Sequence, residues 1–201
     1  PGVGISPNFL AIMDAVRLTR LPQPAQRRAT AWVLTAVVAL AAVFGLGGMK
    51  LQSARRAAAK EFTTGAHEEY EGFSLSGDLN ERLEAGATLA KIGKQQLGET
   101  NAFVNEAFAQ VDALKEALAS GSPAACYRAN TALGKAVEAL YPNLQENDTA
   151  KAQWEEFKSR QYTIDHSAYN TVAEQYNDMA AAFPANLIGA VWGATEVERF
   201  A

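Results

Sequence analysis

Apolar positions along the chain follow two patterns. From Ala29 to Met49 they are nearly continuous: no charged residue interrupts a run of 21 positions, and no polar stripe marks one side of the helical wheel. From residue 78 onward they recur every three or four residues, the period of a helix with one buried face. Leu79, Leu83, Leu89 (less regularly) and Ile92 outline a first such helix, opened by Asp78 three residues before Glu81 as in a capping box and closed near Gly98. Phe103, Ala107, Val111, Leu114 and Leu118 outline a second, from about Thr100 to Ala119, stopped by Ser120-Gly121. Ser122 is the expected cap and Pro123 the first residue of a third, which carries Tyr127, Leu133, Val137 and Leu140 to Tyr141-Pro142. A fourth and longest helix is predicted from Asp148 to Phe183-Pro184. Trp154, Phe157 and Ile164 mark its early part, and Tyr169, Val172, Tyr176, Met179 and Phe183 form a late heptad seam of coiled-coil type.

No segment alternates with a period of two. The prediction is an all-α protein: a single N-terminal transmembrane helix, then an antiparallel four-helix-type bundle on short polar turns. The divisions are a basic tail over 1–28, the span over 29–49, a juxtamembrane helix and loop over 50–77, and the bundle over 78–201. Thr63 to Gly77, with three glycines, is the longest expected loop.

The run of 21 residues suits a membrane because a helix rises about 1.5 Å per residue and the hydrocarbon core is about 30 Å thick. Trp32 stands near its start, where the interfacial belt falls. The competing reading is a cleaved secretory signal, with Arg27-Arg28 as its basic region and Ala39-Leu40-Ala41 as the cleavage pattern. Such a signal would stop short of an equally apolar continuation through Leu46, which favours an uncleaved anchor. Ala41 and Gly45, four apart, let two spans approach closely, so a homo-oligomer is allowed.

Charge divides the chain at the same place. The net charge of −4 averages a tail at +3 (four Arg against Asp14) and a region from Glu61 onward at −11, with ten basic against twenty-one acidic residues. Four basic residues flank each end of the span, so their number does not orient it. Retention of the short tail inside, with the acidic domain outside a bacterial cell membrane, is the expectation, because long domains translocate largely regardless of charge. Phe9 to Leu21 reads as a short amphipathic helix at the membrane surface. Membrane lipid is the partner implied for residues 29–49, and a domain so acidic repels nucleic acid.

One further pattern stands near the C-terminus: Tyr169-Asn170, five residues, Tyr176-Asn177, five residues, Phe183-Pro184, followed by Gly193 and Phe200. This resembles the C-terminal signature of the LemA family, bacterial proteins with one N-terminal membrane helix and a helical-bundle domain. Two departures mark the chain as divergent: Ala194-Thr195 where the family has Phe-Lys after its glycine, and Asp78-Leu79-Asn80-Glu81 where it has an Asp-Leu-Ile-Pro-Asn-Leu-like stretch. The resemblance implies architecture more than chemistry, since the family's biochemical role is poorly defined. Physically, seven residues are two helical turns, so Tyr169 and Tyr176 stack above Phe183 while Asn170 and Asn177 form a parallel polar row. These residues are expected to act structurally: the rings pack in a seam, each hydroxyl finds a partner, and the Asn row fixes register. The alternative makes the row a groove for a peptide. The apolar tail after Pro184, with Leu187, Ile188, Val191, Trp192 and Phe200, is expected to fold back on the bundle, with docking on a membrane or partner as the alternative.

Catalytic and metal-binding patterns do not assemble. Cys126 is the only cysteine, and with His67 and His166 it makes no four-ligand zinc set. Thr64 and Thr163 stand where a di-iron bundle needs Glu. Glu68, Glu69 and Glu71 lack the ligand alternation of a calcium loop. No catalytic residue, cofactor or metal is therefore expected. The function expected is protein interaction or envelope scaffolding by an anchored bundle, with an unknown protein partner. The alternative is a lipid- or small-molecule-binding protein or enzyme with a pocket near the Tyr-Asn repeat.

Overall fold

The computed structural model describes residues 23–67 and 73–201, and all regular structure among them is helical. The surface helix expected over Phe9 to Leu21 and the acidic cluster Glu68, Glu69 and Glu71 lie outside the described residues. The helices are α1 (Gln23–Thr64), α2 (Leu75–Leu97), α3 (Ala102–Ser120), α4 (Pro123–Leu140), α5 (Asp148–Asp165), α6 (Tyr169–Ala181) and α7 (Ala185–Trp192), with a 3-10 turn at Tyr141–Asn143. The chain divides between Lys50 and Leu51 into two compact units.

In the first unit α1 carries the uncharged run, and Trp32, Leu34, Val38, Leu40 and Leu46 are all exposed. By length and composition α1 is long and apolar enough to cross a membrane.

The second unit holds Leu51 to Thr64 of α1 and everything that follows. α2 lies along α5 and α3, and α3 lies along α4, which makes the predicted four-helix bundle. Leu79, Leu89, Leu114, Leu133, Val137, Leu140 and Phe157 fill its centre. Two glycines bring helices to contact distance: a Cβ at Gly86 would sit 3.2 Å from the Phe157 ring, and one at Gly93 would sit 3.1 Å from both Leu140 and Val104. Ser122 caps α4 as expected, its hydroxyl accepting from the Ala125 amide at 3.2 Å.

Four expectations are corrected. Asp78 is not a cap: α2 begins earlier, with Ser74 extended and its hydroxyl accepting from the Gly77 amide at 3.1 Å. Asp78 is instead only 4% exposed and accepts from Arg160 of α5 at 3.3 Å. Arg160 also pairs with Glu81 at 2.5 Å and Glu156 at 2.7 Å, so the acidic start of α2 is tied to α5 by one guanidinium.

The fourth predicted helix is two helices. It breaks at His166 to Ala168, where the His166 amide caps the carbonyls of Ile164 and Thr163 and the Ser167 hydroxyl accepts from the Tyr169 amide at 3.2 Å. No glycine or proline marks this corner; a serine hydroxyl competing for the backbone makes it. The late heptad seam is also not the buried one. Tyr169, Ala173 and Tyr176 face inward, whereas Met179 is 46% exposed and Phe183 is 79% exposed. Finally, Phe103 and Tyr127 face outward, and the inward row of α3 runs through Val104, Ala107, Val111, Leu114 and Ala117.

Candidate functional site

After α7 the chain turns at Gly193, whose φ of +64° is the left-handed conformation that glycine adopts without a Cβ penalty. It then runs as an extended arm along α6. The two Tyr-Asn pairs hold this arm by its main chain. Asn170 accepts from the Phe200 amide at 2.9 Å and donates to the Phe200 carbonyl at 2.9 Å. Asn177 repeats the pair on Val197, at 2.8 Å and 2.9 Å. The Tyr169 hydroxyl donates to the Glu198 carbonyl, and the Tyr176 hydroxyl to the Thr195 carbonyl at 3.4 Å.

The repeat length follows from geometry. Seven helical residues advance about 10.5 Å, and three extended residues advance about 10 Å, so each heptad step on α6 meets a three-residue step on the arm. Asn170 and Asn177 therefore read residues 200 and 197, and Tyr169 and Tyr176 read residues 198 and 195, with the arm running antiparallel to the helix. An Asn amide offers one donor and one acceptor, the complement of one residue's N–H and C=O, as in one rung of a β-ladder.

Side chains lock the arm as well. Val197 and Phe200 are buried, and the Phe200 ring meets Tyr127 edge-on with centroids 5.3 Å apart. Tyr169 meets Phe62 of α1 in the same way at 5.5 Å. Arg55 of α1 donates to the Thr195 carbonyl at 3.0 Å and its hydroxyl at 2.9 Å. Burial, and after it the carboxylate of Glu198, push the Tyr169 hydroxyl up to about 12, so it remains a donor. Burial likewise pushes the Cys126 thiol up to about 11.

Most of the sequence-singled residues converge here. Tyr169, Asn170, Tyr176, Asn177 and Phe200 form the clasp and Gly193 its turn, whereas Phe183 and Pro184 do not touch it in this way. The Phe183-Pro184 bond is cis, and the Pro184 carbonyl accepts from the Leu187 and Ile188 amides at the start of α7. The tail does fold back, but Leu187 and Val191 stay exposed. His166 is exposed, with its Nδ1 2.8 Å from the Tyr162 carbonyl, while Asp165 accepts from Gln161. His67 lies 2.9 Å from the buried Glu61 carboxylate. No group of three metal-ligating side chains occurs among the described residues.

One polar cluster escaped the sequence reading. Arg82 is buried between α2, α4 and α5, donating to the Phe157 carbonyl at 3.3 Å and the Asn130 carbonyl at 3.2 Å. Its guanidinium lies 3.9 Å from the Phe157 ring centroid. Asn130 accepts from Arg82 through its side chain and donates to Gln161 at 3.1 Å. Burial lowers the Arg82 guanidinium to about 10, against the opposing pull of Glu138 and Asp165. An arginine on a helix normally reads as a solvated residue, so nothing local announced it.

No protein-family model matches the chain, and no curated protein or solved structure matches it either. Fold and site define it as an all-helical protein whose N-terminal helix is long and apolar enough to cross a membrane and whose C-terminal arm is held by a Tyr-Asn clasp.

Proposed function

We propose that this is a LemA-like, single-pass membrane protein whose bundle serves protein interaction or envelope scaffolding, and that the Tyr-Asn face is its polypeptide-binding element. The observation that carries the reading is the clasp: Asn170 and Asn177 each bind both main-chain groups of one extended residue. Main-chain recognition with two apolar anchors three residues apart is the chemistry of extended-peptide capture. In this reading the chain's own arm occupies the face, and an extended segment of a partner or a second copy takes the same register. The basic tail stays inside and the bundle faces outward. A face filled by polypeptide favours a peptide occupant over a lipid or small molecule there.

The test uses the full chain with its arm weakened by Val197→Ser and Phe200→Ser. A labelled peptide of residues 195–201 should then bind saturably, and Asn170→Ala with Asn177→Ala should abolish binding. Absence of saturable binding refutes peptide capture. In cells, recovery of an unchanged set of crosslinked partners after deletion of the bundle, with the anchor kept, removes the interaction role.

A further inference from the structure

Burying the Arg82 guanidinium costs stability unless its donors are satisfied. Its Nε donates to the Phe157 carbonyl, and Nη1 donates to both the carbonyl and the side-chain oxygen of Asn130, so this half of the group is fully used. Nη2 differs: among the described residues nothing accepts from either of its N–H groups. It lies against Gly134 of α4, where a Cβ would come within 3.2 Å, so the missing side chain is what uncovers it. Arg82 is only 4% exposed, yet with Gly134 it lines a cleft of about 340 Å³ between α4, α5 and the end of the arm. That is the size of a small-molecule site.

The polar wall of the cleft is one directed chain of hydrogen bonds. Asn130 accepts from Arg82 and donates to Gln161 at 3.1 Å, and Gln161 donates to Asp165 at 2.6 Å. Each amide is oriented by its neighbours, so the row is fixed in advance of any ligand. It begins at a cation with donors to spare and ends at a carboxylate. Glu138 and Lys135 line the same cleft, which brings the charges to two of each sign. Glu138 and Asp165 oppose the lowering of the Arg82 pKa by burial, yet neither pairs with it. A multiply charged anion such as phosphate would reach Arg82 only in the field of both carboxylates. A carboxylate with an ammonium beside it meets no such repulsion, and the edge of a guanidinium matches a carboxylate. Tyr127, 41% exposed, adds an aromatic surface to the same cleft. We infer that this cleft binds a free zwitterionic α-amino acid, its carboxylate on Nη2 of Arg82, its ammonium on Asp165 and Glu138, and its side chain against Tyr127. The inference uses none of the clasp's bonds and is independent of peptide capture.

Isothermal titration calorimetry of the full chain in detergent micelles, with L-phenylalanine, L-leucine and L-glutamine as probes, tests this. Saturable binding at one site is expected for at least one of them. Its N-acetyl form, which lacks the ammonium, and its amide, which lacks the carboxylate, should each bind about tenfold more weakly or worse. Arg82→Met should abolish binding. Because that change reaches the core, Gly134→Ala is its companion: alanine suits a helix, and its methyl group crowds Nη2, so binding should weaken about tenfold with the helical circular dichroism unchanged. Asp165→Asn with Glu138→Gln should erase the preference for the free amino acid over its N-acetyl form. On saturation the side-chain amide resonances of Asn130 and Gln161 should shift. Absence of saturable binding by all three probes overturns the site. Binding that survives Gly134→Ala and leaves those amide resonances unmoved lies elsewhere and overturns it too. An N-acetyl form that binds as well as the free amino acid assigns the cleft to a chain-terminal carboxylate, and tighter binding of inorganic phosphate assigns it to anions; either result overturns the zwitterion.

Discussion

The four-helix bundle and the C-terminal arm belong to one unit yet are held by different physics. The bundle is joined by apolar side chains closing over one another, with Gly86 and Gly93 giving up side chains so that Phe157, Leu133 and Leu140 can approach. The arm has no secondary structure of its own and is joined by polar side chains that satisfy its main chain, with only Val197 and Phe200 as buried apolar anchors. Burial is non-directional and cooperative, so damage to the bundle spreads. Hydrogen bonds to a single extended segment are directional and local, so damage to the clasp releases the arm and leaves the bundle folded.

The sharpest way to break this contrast is at the centre of the bundle. Leu133→Ala should cost about 2–5 kcal/mol and lower the melting temperature of the whole unit, read by circular dichroism. If only part of the helical signal shifts, the bundle is not one cooperative core. Asn170→Ala with Asn177→Ala removes four main-chain bonds, each worth about 0.5–1.5 kcal/mol. Its expected signature is hydrogen exchange gained at the Val197 and Phe200 amides with little change in the bundle. Equal loss of protection in α2 to α5 would erase the distinction.

Alkaline pH sharpens the comparison without mutation. Tyr169 holds its proton up to about 12 when docked, against an ordinary value of 10.0, so docking gains stability that is complete below about pH 10. As pH rises from 10 towards 12 the released hydroxyl ionises while the docked one does not, and the arm should loosen. Tyr169→Phe should lose most of that dependence in the exchange of Val197 and Phe200, the remainder belonging to Tyr176, whose hydroxyl burial also pushes up. The smallest effect is expected from Gly193→Ala, about 1 kcal/mol for placing a Cβ at φ +64°, seen as faster exchange in the arm alone.

The bundle was legible because its determinants are local. Ser122 and Pro123 state where α4 begins, and Leu133, Val137 and Leu140 state which side is buried. The corner at Ser167 was not legible, because a serine side chain satisfying the next amides looks like any serine inside a helical pattern. Ala173 takes the inward place between Tyr169 and Tyr176 that the heptad pattern assigned to Val172, for a similar reason: a small residue carries little hydrophobic signal and still sits where close packing needs it.

The clasp lies between these cases. Its residues stood out as a repeat, and the spacing alone placed two tyrosines and two asparagines in parallel rows two turns apart. What the rows hold depends on a segment 19 to 30 residues further along the chain, brought alongside only after α7 and Gly193 reverse the direction.

By itself, then, the sequence determined the uncharged run, the helical class, the main helix stops and the two polar-aromatic rows, since each depends on neighbours within a turn or two. Only the tertiary structure decided that Asp78 and Arg82 are buried, that α6 departs from α5, and that the asparagines grip main chain instead of setting helix register. Those outcomes are settled by which distant group reaches a buried donor or acceptor first, and no local period encodes that distance.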